Sequence, residues 1–319
     1  MNVKVLGTES LGVRGLSCVV ELEQRKIVID PGLALGYRRR GLLPHPAQVA
    51  VGEQVRHKIL AELRDATDVV ISHFHGDHVP LPDANPYQLP AQQAAPLCQA
   101  ARLWCKGPQG LSNNMLHRRE SLGELLCRHL PNAEGQKAGP LEFSLPVPHG
   151  RPGTRLGMVM MTRIARGDTV FVHASDIQLL DGEAVSLILG WQPDIALVDG
   201  PPLHLAWLSS SQRETAWQNA QRLARGVDTL ILDHHLLRCE EGLSWLERLS
   251  SETGHRVVCA ADFMGCPRRL LEARREQLYA EMPVPEGWHE AYASGNADTR
   301  RYRDEVSMED GSDEICGSL

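Results

Sequence analysis

Short apolar runs that close on polar or turn residues recur along the whole chain. They predict strands at 3–6, 16–22, 26–30, 68–72, 142–147, 157–164, 169–174, 195–199, 229–233 and 256–260. Longer stretches of helix formers lie between them and predict helices at 47–66, 92–106, 121–130, 182–191, 211–225, 242–253 and 267–281. The last has Pro267 in its first turn as a start signal. Strand-rich segments followed by alternating strands and helices predict an α/β (α+β) protein whose sheets carry helices on their outer faces. A four-layer αββα arrangement fits this order, with a three-layer α/β fold as the alternative. The stretch 80–96, rich in Pro, Gln and Ala and without periodicity, reads as a surface loop. No internal repeat breaks the pattern, which gives one domain over 1–285 and a C-terminal tail over 286–319.

Composition narrows the class. No run of about 18 apolar residues is present and the first residues lack an apolar leader, which excludes membrane-spanning and classical secretory readings. The eight cysteines are scattered with no C-x-x-C pair, as expected of reduced thiols in a cytoplasmic protein rather than of a thiolate metal site. The formal charge is −7, but residues 304–319 hold six carboxylates and no Lys or Arg, so the chain before them is nearly neutral. That balance is not the footprint of a dedicated nucleic-acid binder. Arg outnumbers Lys 28 to 5, for which genomic base bias is the plain explanation, and there are 14 histidines, several at metal-ligand spacing.

The strand at 68–72 runs straight into His73-Phe74-His75-Gly76-Asp77-His78. Four nitrogen and oxygen ligands in six residues at the end of a strand converge on one point if the chain turns there, and Gly76 allows a tight turn. Imidazole and carboxylate suit zinc, with iron and manganese also accepted by this donor set. Three further polar groups follow apolar strands: His149, Asp176 and His234. Taken singly, each reads equally well as a turn or capping residue.

In this order the residues resemble the metallo-β-lactamase superfamily, where such a motif is followed by a histidine, an aspartate and a histidine, each after a strand, and where an earlier aspartate, here Asp30, ends a strand. The resemblance implies one metal on His73, His75 and His149, a second on Asp77, His78 and His234, and Asp176 bridging the two. It implies the four-layer αββα metallo-β-lactamase-like sandwich and a metal-dependent hydrolase. It narrows further, over about residues 1–282, to a mainly archaeal family of predicted metal-dependent hydrolases whose substrate is not established. The segments that carry it include Thr8-Glu9-Ser10-Leu11-Gly12, Pro146-Val147-Pro148-His149-Gly150, Val198-Asp199-Gly200-Pro201-Pro202 and Leu232-Asp233-His234-His235-Leu236-Leu237-Arg238. His234 and His235 are adjacent, and side chains alternate faces at a strand end, so one ligand is expected of the two, His234 before His235.

Two divalent ions bridging a water imply hydrolysis. Asp77, His235 and Asp199 are the residues assigned to proton handling and ligand orientation, with His204 as a further candidate near the substrate. Arg38, Arg39 and Arg40 follow Asp30-Pro31-Gly32 closely and suit an anion clamp, the alternative being a solvated surface cluster. Arg14, Arg118 and Arg119 are weaker candidates of the same kind. His173 and His45 read as satisfied core histidines, and the tryptophans, Trp207 among them, as packing residues. No further domain separates Asp176 from His234, so a small or short anionic substrate is expected, a phosphodiester or short RNA included. Hydrolysis of a thioester or lactone, a mononuclear iron dioxygenase and a non-catalytic metal protein are the competing readings.

Overall fold

The computed structural model describes residues 1–303; the acidic stretch from 304 lies outside them. The first half of the chain forms β1 (Asn2–Gly7), β2 (Ser17–Glu21), β3 (Lys26–Ile29), α1 (Pro46–Leu63), β4 (Asp68–Ile71), α2 (Ala91–Cys98), β5 (Arg102–Cys105) and α3 (Asn113–Leu125). These five strands make one sheet in sequence order, antiparallel at β1–β2–β3 and parallel at β3–β4–β5. The second half adds β6 (Lys137–Ala138), β7 (Leu141–Phe143), β8 (Val147–Pro148), β9 (Met158–Val159), β10 (Thr162–Arg166), β11 (Thr169–His173), α4 (Gly182–Gly190), β12 (Ile195–Val198), α5 (Ser210–Arg225), β13 (Thr229–Leu232), α6 (Glu241–Thr253), β14 (Arg256–Val258), α7 (Ala260–Met264), α8 (Arg275–Glu281) and α9 (Trp288–Ala293). Its main sheet runs β14-β13-β12-β11-β10-β7-β6, with β11 to β14 parallel, while β8 and β9 pair separately.

Strand alternation builds the layers. Along β2 to β4, Cys18, Val20, Ile27, Ile29 and Val70 face inward, whereas Val19, Val28, Val69 and Ile71 pack under α1 to α3. Along β11 to β13, Phe171, Leu197 and Ile231 meet those inward residues, and Val172, Val198 and Leu232 pack under α4 to α6. A residue period of two thus buries both faces of each sheet, one against the other sheet and one against helices. This is the αββα sandwich.

The chain departs from the sequence pattern where tertiary contacts outweigh local preference. The helix expected over 92–106 ends at Cys98, two residues after an internal proline that cannot donate to the helix ladder, and 102–105 pairs parallel with β4. The helix expected over 121–130 starts at Asn113, capped by the Ser112 side chain. The strand expected over 157–164 breaks at Met160, whose N–H donates to the Ser72 carbonyl at 2.9 Å. Pro267 does not start a helix: Arg269 N–H is held by the Ser10 carbonyl at 2.7 Å and buried Glu272 is held by Arg14 and Arg39, so helix resumes only at Arg275. Nor does a tail begin at 286. Trp288 and Tyr302 are buried in the first core, with Trp288 stacked on Tyr292, because these rings complete the cover over α1 and the first sheet. Cys18, Cys98, Cys105, Cys127, Cys239 and Cys259 are free thiols; Cys266 is disulfide-bonded, against the expectation that all eight are reduced. No helix among the described residues is long and apolar enough to cross a membrane.

Candidate metal centre

The loops that leave the carboxyl ends of parallel strands meet where the two sheets adjoin. Asp30 follows β3, the segment Ser72 to His78 follows β4, Ser175 and Asp176 follow β11, Asp199 follows β12, and Asp233 to His235 follow β13. His149 comes from the short β8 ladder. Asp30, Ser175 and His234 each take a left-handed backbone, at φ of 47°, 55° and 39°. For residues with a Cβ that conformation costs roughly 1–2 kcal/mol each, held here by the surrounding contacts.

All seven residues expected to bind metal come together. His73, His75, His149 and Asp176 form one group and Asp77, His78 and His234 another, the ligand atoms within each lying within 4.8 Å of one another. In the first, His73 Nε2 is 2.9 Å from His75 Nδ1 and 3.5 Å from Asp176 Oδ2, and His149 Nε2 is 3.0 Å from that oxygen. Ligands roughly 2.0–2.1 Å from a tetrahedral ion stand about 3.3 Å apart, so these spacings fit one cation. In the second, His78 Nε2 is 2.9 Å from Asp176 Oδ1, and His234 Nε2 is 3.5 Å from Asp77 Oδ2 and 3.7 Å from Asp176 Oδ2. Asp176 thereby touches both groups. His78 Nε2 and Asp176 Oδ1 are buried and face each other at 2.9 Å with no other partner among the described residues, a contact that a cation held between the two would take over.

Protonation suits the same purpose at three of the histidines. Burial, reinforced by neighbouring charge, pushes the His73, His75 and His234 imidazoles below their ordinary range, whereas the Asp176 and Asp30 carboxylates, against burial, push His78 above it, a proton that a cation would displace. Burial opposes ionisation of Asp77 and Asp176, yet the surrounding His78, His234 and either Arg238 or His73 hold both carboxylates well below theirs. Neutral imidazoles and ionised carboxylates are the forms that bind metal.

Supporting groups aim the rings. Asp30 accepts from Ser72 N–H at 2.7 Å and Ser72 Oγ at 2.5 Å, and its second oxygen lies 2.9 Å from His78 Nδ1, turning Nε2 inward. Ser72 Oγ and Ser175 Oγ lie 3.0 and 3.3 Å from His73 Nδ1. Arg118 donates to the Phe74 carbonyl at 3.1 Å and steadies the histidine loop. Asp199 accepts the His235 backbone N–H at 2.6 Å and stands 2.5 Å from its Nδ1. Burial pushes Asp199 up and His235 down, so this pair shares one proton across a short contact.

One ligand is expected of His234 and His235, and both rings face the centre. The strand has ended at Leu232, and the left-handed turn at His234 followed by helical backbone at His235 brings both rings to one side, 4.5 Å apart. Both lie within reach of Asp176. The arginine triplet is placed elsewhere. Arg39 is engaged by Glu272 at 3.1 Å and by the Arg238 carbonyl, Arg40 by Glu276, and only Arg38 has no carboxylate partner among the described residues. His204 lies near Arg238 and Arg39, and burial with those charges pushes it down to about 3, so it stays neutral. His173 is the satisfied core histidine expected, 2.9 Å from the Leu16 carbonyl, and His45 caps α1.

Two site residues escape sequence reasoning. Buried Arg238 donates from Nε to Glu9 at 2.9 Å, and its Nη2 lies 3.3 Å from Asp77 Oδ2 and 2.8 Å from His234 Nε2. Burial and Glu272 push Glu9 up to about 8. The signal was the spacing of Arg238 from His234, one helical turn, but only packing reveals Glu9 opposite it.

No family model matches the chain. The UPF0282 protein of Methanosarcina mazei is 51% identical over 302 residues, spanning 95% of this chain and 99% of that protein. That of Pyrococcus horikoshii is 34% identical over 302 residues, 90% and 97%. Among solved structures, the isothiocyanate hydrolase from Delia radicum gut bacteria aligns with a TM-score of 0.50 and 16% identity over 81% of this chain and 95% of its own, a likeness of fold. A metallo-β-lactamase fold protein of Bacillus subtilis aligns at 0.49 and 15%. With half its residues shared along almost its whole length with the Methanosarcina mazei protein, this chain belongs to the UPF0282 family.

Proposed function

We propose that the protein is a metal-dependent hydrolase that works with two divalent ions, zinc in the first instance, on a small or short anionic substrate such as a phosphodiester or short RNA. The convergence of seven candidate ligand groups, with His78 Nε2 and Asp176 Oδ1 buried and facing only each other, carries this reading. His73, His75 and His149 would hold one ion and Asp77, His78 and His234 the other, with Asp176 between the two groups. Bound there, such ions would supply a water of lowered pKa and a sink for the negative charge that forms on attack. Asp77 fixes the histidine loop against His234 and Arg238. Asp199 keeps the His235 ring in one orientation, with its Nε2 available to take up a proton and pass it to the leaving group.

The stretch between Asp176 and His234 supports the size of the substrate, since it holds only α4, β12, α5, β13 and their loops. Arg39 and Arg40 are committed to glutamates, so an anion is drawn by the ions rather than by the arginine triplet. Donors that are all nitrogen and oxygen leave manganese and iron as the other metals to test. Six of the cysteines are free thiols, in keeping with action in the cytoplasm, with the disulfide at Cys266 the exception.

The test is a screen of cyclic phosphodiesters, short RNA, thioesters and lactones with metal-loaded protein, with chelated protein and Asp77→Ala as controls. Turnover of one class that chelation and Asp77→Ala both abolish is the expected result. Turnover that survives chelation overturns the reading, and so does iron with oxygen consumption and no hydrolysis.

A further inference from the structure

Three loops that carry site residues run on to wall one cavity of about 430 Å³. The loop after His149 supplies Arg151 and Leu156, the loop after Asp176 supplies Gln178 and Leu180, and the loop after Asp199 supplies Trp207. Arg151 and Gln178 each lie two residues beyond a proposed metal ligand, so their backbones stand within roughly 7 Å of that ligand's own backbone. The first two loops touch at that point: a Cβ on Gly150 would stand 2.6 Å from Gln178 Oε1. The cavity thus lies beside the loops that carry the candidate ligands.

Its lining is selective. Leu156, Leu180 and Trp207 make it mainly apolar; among the described residues Arg151 is its one charged group, and no carboxylate lines it. Trp207 is 55% exposed although Leu203 and Leu208 on the same loop are buried, so the loop is anchored and the indole is left facing open space. The sequence pattern had assigned that ring to packing. Gln178 lines the cavity but is 2% exposed, and its buried Oε1, next to Gly150, has no hydrogen-bond partner among the described residues.

We propose that this cavity recognises the part of the substrate next to the scissile group, and that it takes a flat aromatic or heteroaromatic ring stacked on Trp207, joined to an anionic group that Arg151 holds toward the metals. The proposal rests on the hydrolase reading and names its substrate class. An indole face rewards a planar ring over a flexible chain, which loses more rotational freedom on burial. A cationic ring is disfavoured by Arg151 and meets no carboxylate. A ring substituent that donates a hydrogen bond satisfies Gln178, which an alkyl chain leaves unpaired.

The experiment measures binding of methylphosphonate, phenylphosphonate and n-hexylphosphonate to metal-loaded and metal-free protein by calorimetry. Phenylphosphonate is expected to bind the loaded protein about tenfold tighter than methylphosphonate and tighter than the hexyl compound. Trp207→Ala removes the phenyl preference with the methylphosphonate Kd and the melting temperature unchanged, Trp207→Phe keeps most of it, and Arg151→Gln weakens all three. Equal Kd values for phenyl and methyl, a phenyl preference that survives Trp207→Ala, or tighter binding of hexyl overturns the ring pocket. Failure of metal to strengthen binding of any of the three overturns instead the hydrolase reading on which it rests.

Discussion

Asp30 shows how a residue outside the ligand set governs it. Fully buried, it takes two hydrogen bonds from Ser72 and faces His78 Nδ1, so the β4 loop and the inward nitrogen of His78 are fixed by one carboxylate. Its burial resists ionisation, but contact with His78 holds its pKa below the ordinary carboxylate range. Asp30→Asn keeps the shape and removes the charge. Affinity for zinc, read by competition with a chromophoric chelator, is expected to fall roughly 10- to 100-fold; an unchanged affinity contradicts the role. At this scale the sequence was most informative where chemistry is contiguous. Four ligands in six residues announce themselves, and His149, Asp176 and His234 are marked by the strands they end. Glu9 and Arg238 were silent because their partners are 229 residues apart and meet only in the folded chain. Arg38 to Arg40 misled for the same reason, since proximity to Asp30 in sequence does not say that Glu272 and Glu276 will take up two of the three guanidinium groups.

Strands were more legible than helices because their inward and outward positions alternate strictly: Ile27, Val28 and Ile29 sort between two cores with no ambiguity. Where a segment is apolar on both faces and short, as at 102–105, periodicity cannot separate strand from helix, and pairing with β4 decides. Pro267 misled because a start signal says nothing of the ion pairs that hold Glu272 away from helix. Between elements, the turn at Asp30-Pro31-Gly32 carries the tightest constraint. A Cβ on Gly32 would lie 2.1 Å from Val79 N and 2.2 Å from the His78 carbonyl carbon, so the glycine lets the β3 loop rest directly on the backbone of the ligand loop. Gly32→Ala must push His78 and Val79 aside. Urea unfolding is expected to show a loss of about 3 kcal/mol, with weakened metal binding; wild-type stability contradicts so close an approach.

Across the whole molecule, the two halves of the chain each make a sheet with its own helical cover, and the site exists only where the sheets meet. The first sheet brings Asp30 and His73 to His78; the second brings Asp176, Asp199, His234 and His235. Carboxyl ends of parallel strands are where open sheets place ligands, and here β3 and β4 on one side and β11 to β13 on the other supply them. The sandwich was readable from strand order together with the motif. The cover that α9 and Tyr302 add to the first core was not, because a short segment after a proline-rich turn has too little periodicity to register. The account as a whole stands on bound metal. Elemental analysis and native mass spectrometry of the purified protein, with Asp176→Asn beside it, test this most directly. About two equivalents of divalent metal per chain are expected for the wild type and less than one for the variant, which loses the carboxylate proposed to lie between the two ions. A wild-type protein that holds no metal and takes up none on titration with zinc, manganese or iron contradicts the account.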